Sequence, residues 1–565
     1  MRSAVFTGAR RLRGVLLGSV GIALLLSTAI SAQAADAAPG ATAPSAAATA
    51  PAAKPAAPVR KFEINEFDVE GNTVLDEAAI DAAVEPFMGP DRTMADIDGA
   101  RGALEKAYAA KGYQTVYVTL PPQTVRGGVV RLKAVETTVG TVTVNGQSYV
   151  APERVQKALP SLAPGAVPNL PTLNKELVAL NSQSNDLQVT PAMKQGAKPD
   201  TIDVSLDVQD KLAVHGGLEL NNKYSRDTSP LRLQANIEYD DLWGLNHSLS
   251  GLYSVAPQDR NDGEVYALTY SAPLPGTDLK LSLTGLNSNS NVNTLGGTNV
   301  LGKGYSITAG LMAPLGTVGD DYFHYLQANV AWKDFNDTVS LGGQSSPAPI
   351  KYVPLSLTYF GSLRKPEDQF SVNAGLTVSL RGLGSNHDDY DVARYRADGD
   401  FFYAKGGVSW LHNFPHGIDL FASLDGQIAN GPLISNEQYS IGGEGTVRGY
   451  LQSEGLGDDG IHSSLELRSP SLAPWMGARV GKYVDDFRFV LFADAARAWL
   501  HDPLPQQQDY FNLRSVGIGV TGQVLKYLNG SLYLADPLDS TTGPNSSGVT
   551  QSGHLRLQFR VWTQF

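Results

Sequence analysis

A chain of 565 residues exceeds one ordinary compact domain and is long enough to bury a sizeable core. Its formal net charge of −12 argues against a nucleic-acid partner, which a basic face normally serves, and the lack of cysteine excludes disulfides and thiolate metal sites. Charged residues make up only 18%, while 58 glycines and 23 tyrosines favour turns and strands.

Arg2, Arg10, Arg11 and Arg13 precede an apolar run over 15–30, and Ala32-Gln33-Ala34 fits a small-x-small cleavage site. The pattern predicts a secretory signal peptide over 1–34. As a membrane anchor the run is short and broken by Gly18, Ser19 and Gly21. No later stretch approaches the roughly 20 apolar residues of a transmembrane helix, so any crossing must use strands. Residues 35–59, nearly all Ala, Pro, Ser and Thr, read as a linker; their prolines oppose a helix.

Residues 60–136 read as a small α+β module. Alternation over 62–69 predicts a strand. Helical patterns follow over 76–84 and 94–111, the second with Ile97, Leu104 and Tyr108 on one face and Gly112 as its stop. Strands are expected over 115–120 and 127–135. Residues 137–211 repeat the plan: a strand over 139–144, helices over 152–159 and 172–181, strands over 187–191 and 202–208. The chain thus carries two β-α-α-β-β modules in tandem.

From 212 to 565 helical patterns vanish and sixteen alternating segments follow, from 213–220 to 554–565. A spacing of about 22 residues matches tilted spans of roughly 9–11 residues with their connections. Short turns, such as 240–246, 273–277 and 414–417, alternate with longer polar loops, such as 288–302, 334–350, 381–399 and 429–460. Short turns inside and long loops outside are the habit of outer-membrane barrels, and only the turn near 470–485 is unexpectedly long. In the last segment Leu555, Leu557, Phe559, Val561, Thr563 and Phe565 alternate with His554, Arg556, Gln558, Arg560, Trp562 and Gln564. One face suits lipid and the other a wet lumen. The closing Phe565 is the expected outer-membrane C-terminal signal.

The densest motif lies between the eleventh and twelfth segments: Ile441-Gly442-Gly443-Glu444-Gly445-Thr446-Val447-Arg448-Gly449-Tyr450. Four glycines there permit a tight backbone around one arginine. Strand parity turns Arg488, Val490, Phe492, Asp494 and Ala496 inward on the next-but-one segment, and His462, Ser464, Glu466 and Arg468 inward on the one before it. Two arrangements fit parity equally. Either the loop folds inward and Arg448 forks onto Asp494 or Glu466, or Arg448 is solvated outside and the carboxylates pair with Arg468 or Arg488.

The whole plan resembles the two-partner secretion transporters of the haemolysin-activator type, within the larger POTRA-plus-barrel superfamily. Val447-Arg448-Gly449-Tyr450 fits that superfamily's V-R-G-Y signature on the sixth outer loop, and Phe492-Ala493-Asp494 fits its F-x-D signature on the thirteenth strand. The stretch from Gly112-Tyr113 through Leu120-Pro121-Pro122-Gln123 to Gly127-Gly128-Val129-Val130 resembles the end of the family's first POTRA domain. The resemblance implies α+β periplasmic modules, POTRA 1 over 60–136 and POTRA 2 over 137–211, followed by a 16-stranded antiparallel outer-membrane β-barrel over 212–565 with an inward sixth loop at about 430–460. It also implies that Arg448 pairs with Asp494 inside the lumen, with Glu466 a weaker third member. Two departures stand out. Residues 35–59 are too proline-rich to resemble the pore-plugging helix of some members, and two POTRA modules point away from the barrel-assembly and autotransporter-assembly branches.

The function implied is transport. POTRA domains would recognise a large unfolded partner protein and the barrel would export it, with activation of a haemolysin or adhesin as a further role; the alternative is an insertase of other outer-membrane proteins. A passive porin would need no POTRA pair. Further expected partners are outer-membrane lipid and, during biogenesis, the barrel assembly machinery, with the chain a monomer. No enzyme, cofactor or metal site is expected. Residues 297–304 nearly spell a phosphate loop but lack the Ser or Thr after Lys303, and Pro415 separates His412 from His416.

Overall fold

The computed structural model describes residues 60–565 apart from 182–183, 185, 296–297, 320, 342–343, 506 and 543–548; the expected signal peptide and linker lie outside the described residues. The chain divides into two compact units, one ending at Leu212 and the other running from Ala213 to Phe565. No described helix is long and apolar enough to cross a membrane.

The first unit holds two modules of the same topology. In the first, Glu66–Glu70 lies parallel to Val129–Val135, which pairs antiparallel with Tyr117–Thr119. The helices Glu77–Val84 and Met94–Ala110 cover the sheet. Asp76 caps the first of them by accepting from the Ala79 N–H, and Thr93 with Asp96 forms a capping box on the second. Ile97, Leu104 and Tyr108 of the long helix pack on Phe67, Val130 and Leu132. The alternation over 62–69 is broken at Asn65, and Phe62–Ile64 pairs instead with Gly89–Arg92. Period-two patterning does not register that change of partner, because both pieces alternate alike.

The second module repeats the order with Thr138–Asn145 parallel to Thr201–Asp210 and Leu187–Gln195 antiparallel on its other side. The helices Pro152–Lys157 and Leu170–Asn181 bury Val155, Leu173, Leu177 and Leu180 against it. The modules meet at Gly112, whose carbonyl accepts the Leu170 N–H at 3.0 Å. Gly112 has φ of +96°, and a Cβ there would lie 2.7 Å from Pro171, so glycine is needed on both counts.

The second unit is a closed antiparallel barrel in which the last strand, Arg556–Gln564, pairs with the first, Val214–Asn221. Gln344–Tyr352 and Pro354–Arg364 both pair with Tyr322–Leu341 and form one stave interrupted at Val353, which makes sixteen staves. Two expected loops are corrected. The residues described within 288–302 and 334–350 continue the strands: Lys280–Leu295 runs to 16 residues, Thr298–Val318 to 21 and Tyr322–Leu341 to 20. These extensions are mostly polar in sequence, and apolar residues such as Val292, Leu295, Phe335 and Val339 are too sparse to spell the sustained alternation that marks a strand in lipid. Loop 381–399 contains a short helix, His387–Ala393, and the long inner turn contains Gly477–Val480.

Candidate functional site: the clasp in the barrel lumen

The strands Asp459–Arg468 and Val484–Trp499 pair so that Ser464 faces Asp494 and Glu466 faces Phe492. Alternation buries Asp494, Phe492 and Glu466 and leaves Leu465, Phe489 and Leu491 exposed on the outer surface. Between the eleventh and twelfth staves the chain turns inward. A two-stranded ribbon, Tyr439–Ile441 with Gly455–Gly457, carries a compact turn. Gly442 N–H donates to Thr446 Oγ1 at 2.8 Å and Gly443 N–H to the Val447 carbonyl at 3.1 Å. Gly442 sits at φ +100°, where an added Cβ would be 2.6 Å from the Leu451 carbonyl oxygen.

This turn presents Arg448 to the wall. Its backbone N–H, Nε and Nη2 donate to the Asp494 carboxylate at 3.0, 2.7 and 2.7 Å, and Nη1 donates to Glu466 Oε1 at 2.6 Å. Arg448 is 4% exposed, Asp494 2% and Glu466 7%. Ser464 Oγ donates at 2.7 Å to Asp494 Oδ1, the oxygen that also takes Arg448 Nη2. Glu466 also receives Arg468 Nη2 at 2.5 Å, so the buried Arg448 and the half-buried Arg468 meet two buried carboxylates. The Phe492 ring lies beneath the guanidinium at 3.7 Å and Tyr533 at 5.1 Å, adding cation–π attraction in a desolvated place.

The residues beside Arg448 are held as well. Val447 packs with Ala496, Ala498 and Leu513. Gly449 N–H donates to Gln558 Oε1 at 3.1 Å, and Gln558 Nε2 donates to the Tyr450 carbonyl at 3.3 Å. Tyr450 Oη lies 3.0 Å from the Arg514 carbonyl and 2.9 Å from that of Asp539. His462 bridges the Asp425 carboxylate at 2.8 Å and the Thr446 carbonyl at 2.9 Å. Glu454 accepts from Leu451 N–H at 2.7 Å, Thr550 Oγ1 at 2.7 Å and Thr541. Burial pushes its carboxyl up, but the hydroxyls of Thr541 and Thr550 and the Leu451 amide outweigh that and hold it below the usual carboxylate range.

A second anchor sits where the loop begins. Glu437 is buried and accepts from Lys333 Nζ at 2.6 Å, Tyr352 Oη at 2.7 Å and Tyr403 Oη at 2.6 Å. Next to it Leu433 and Ile434 pack against Tyr390, Phe401 and Phe335. Asp458, at the loop's end, takes the Leu433 and His501 N–H groups at 2.9 and 2.7 Å.

The structure therefore brings Arg448, Asp494, Glu466 and Phe492 together and sets Val447, Gly449 and Tyr450 around them; Asp494 takes three of the Arg448 bonds and Glu466 one. Phe565 stands apart at the barrel seam, exchanging backbone hydrogen bonds with Gly216 at 3.0 and 3.1 Å. Ser464, Tyr533, His462, Glu437 and Asp458 are members that the motif reading did not single out. Parity faces Ser464 and His462 inward, but no local signal says which of the inward groups the loop meets.

The family described as haemolysin secretion/activation protein ShlB/FhaC/HecB matches residues 200–522, and the ShlB-type POTRA domain matches 62–137. The chain belongs to the haemolysin secretion/activation family. An outer-membrane location, with the POTRA region in the periplasm, goes with that family, whose members are secretion proteins rather than enzymes. The outer membrane transporter CdiB of Escherichia coli O6:K15:H31 is 22% identical over 222 residues, which cover 38% of this chain and 37% of that relative. The match thus spans little more than a third of the relative's length. In fold, the chain is similar to CdiB from Escherichia coli (TM-score 0.56, 20% identity, 92% of this chain and 93% of that one). It is also similar to BamA from Haemophilus ducreyi lacking POTRA domains 1–3 (TM-score 0.53, 16% identity, 89% and 100%).

Proposed function

We propose that this protein is the transporter of a two-partner secretion pair. Its POTRA modules bind a large unfolded partner protein in the periplasm, and its barrel passes that chain to the outside. The cargo is a haemolysin or an adhesin, activated by the same passage. The observation that carries this reading is the clasped loop within a sixteen-stave barrel, on a chain with one POTRA-type module and a second module of the same topology. A passive porin needs neither.

Leu187–Gln195 forms one edge of its three-stranded sheet and offers backbone donors and acceptors to an added strand. The sequence has no nucleotide-binding motif, so folding of the cargo outside supplies direction. Arg448 clasps the sixth loop, which keeps the lumen structured while the exit opens. Outer-membrane lipid surrounds the barrel, the barrel assembly machinery inserts it, and it works as a monomer.

Deletion of the gene tests this reading. One large polypeptide should vanish from the culture medium while other outer-membrane proteins keep their levels. General depletion of outer-membrane barrels with an unchanged medium would instead mark an insertase.

A further inference from the structure

The two halves of the barrel wall differ in charge and in cover. On the staves from Asp459–Arg468 to Arg556–Gln564 the inward side chains include Glu466, Arg468, Arg488, Asp494, Arg556 and Arg560, and the sixth loop is fixed to Asp494, Glu466 and Gln558 among them. Asp494, Phe492, Leu513, Ser515 and Ala535 are buried in consequence. The staves between 247 and 379 are built otherwise. One continuous row across them reads Ser271, Ser282, Gly310, Asn329, Ser356, Thr377. The next row outward includes Thr269, Thr284 and Thr308, with the first two hydroxyls 3.0 Å apart. Asn329 Nδ2 donates to Ser356 Oγ at 3.2 Å. Apart from Gly310 these row members are half-buried rather than covered.

Among the described residues, the inward charge within the span of this wall is Lys333, near its outer end, where Glu437 of the sixth loop is its counter-ion. Lys280 and Arg364 stand at the inner ends of their staves.

We infer that this hydroxyl- and amide-lined wall is the surface along which the exported chain travels, and that it fits an extended, weakly charged polypeptide rich in Ser, Thr, Asn and Gly. The inference rests on the secretion reading above. An extended chain exposes its own N–H and C=O groups, which short neutral side chains can bond and release in turn. A fixed charge on the wall would hold any opposite charge in the cargo by a stronger, charge-assisted bond. The clasp keeps the strongest charges of the other wall occupied with one another and with the loop, away from the moving chain. The row has no large side chain, and the sixth loop is clasped to the opposite wall.

The absence of cysteine makes the test clean. Full-length Ser282→Cys, Asn329→Cys and, as the covered-wall control, Ser531→Cys are assembled first and labelled afterwards in planar bilayers, so labelling cannot disturb folding. The labels are an anionic and a neutral methanethiosulfonate reagent. The probes are a neutral Ser/Asn/Gly peptide and the same peptide with lysines interspersed. Anionic label at Ser282→Cys or Asn329→Cys should lengthen block by the lysine peptide at least tenfold over the neutral label, with Ser531→Cys unchanged. An equal effect at Ser531→Cys, or block indifferent to charge at the two wall positions, overturns the inference and leaves the secretion reading standing. If neither peptide blocks even the unlabelled channel, chain conduction itself fails, and both fall.

Discussion

Arg448 grips Asp494 through three donors, one of them its own backbone N–H at 3.0 Å, so side chain and main chain of the loop tip are fixed to one carboxylate. A lysine keeps the charge but has no fork. Arg448→Lys should therefore export less cargo than wild type and more than Arg448→Ala, measured as the polypeptide that a deletion strain fails to release.

The two acids should rank. Asp494 receives Arg448 by three bonds, whereas Glu466 receives it by one and keeps Arg468 as a second partner. Asp494→Asn should lower the heat-unfolding temperature of the barrel more than Glu466→Gln. Breaking a buried pair on one side costs about 3–5 kcal/mol when no other partner remains. Equal shifts would show that the cluster does not distinguish its members.

Gly449 has φ of +93°, and an added Cβ would lie 3.1 Å from that of Ala535. Gly449→Ala should strain the turn by about 1 kcal/mol or more and weaken the clasp with every charge still present. Export and thermal stability should fall together, as they do not for an alanine at Gly445, whose surroundings are open.

At the outer end, Glu437 ties the start of the loop to Lys333, Tyr352 and Tyr403 beside the apolar cap of Leu433 and Ile434. Glu437→Gln should loosen this cap. Single-channel recording should show a higher or more often open conductance than wild type, with barrel assembly normal by heat-dependent gel mobility.

If the salt bridge acts by holding the loop, another tether should replace it. An ideal Cβ on Gly455 lies 3.0 Å from that of Phe511, somewhat nearer than the roughly 3.5–4.5 Å of a relaxed disulfide. Gly455→Cys with Phe511→Cys, placed in the Arg448→Ala background, should restore part of the export when oxidised and lose it again on reduction. No rescue by a formed disulfide would show that Arg448 acts through its charge rather than by anchoring.

The barrel was legible because lipid imposes alternation on every stave it touches: the segments expected at 247–255 and 368–380 are strands at His247–Val255 and Asp368–Ser379. Alternation fails where lipid ends, which is why the hairpins beyond Asn289 and Asn336 read as loops. The inward facing of Asp494 and Glu466 follows from the same parity. Their meeting with Arg448 does not, since parity is silent on where a loop goes, and only the V-R-G-Y and F-x-D resemblance pointed to it. Gln558 faced the lumen in the sequence, yet its partner Gly449 stands 109 residues away, and Glu437 sat in a polar loop with no pattern around it.

The most direct measurement is secretion by Arg448→Ala, read beside the heat-dependent mobility of its barrel. The account predicts that release of the partner protein falls at least tenfold while a folded barrel is still recovered from the outer membrane. Normal release from a normally assembled barrel would contradict it.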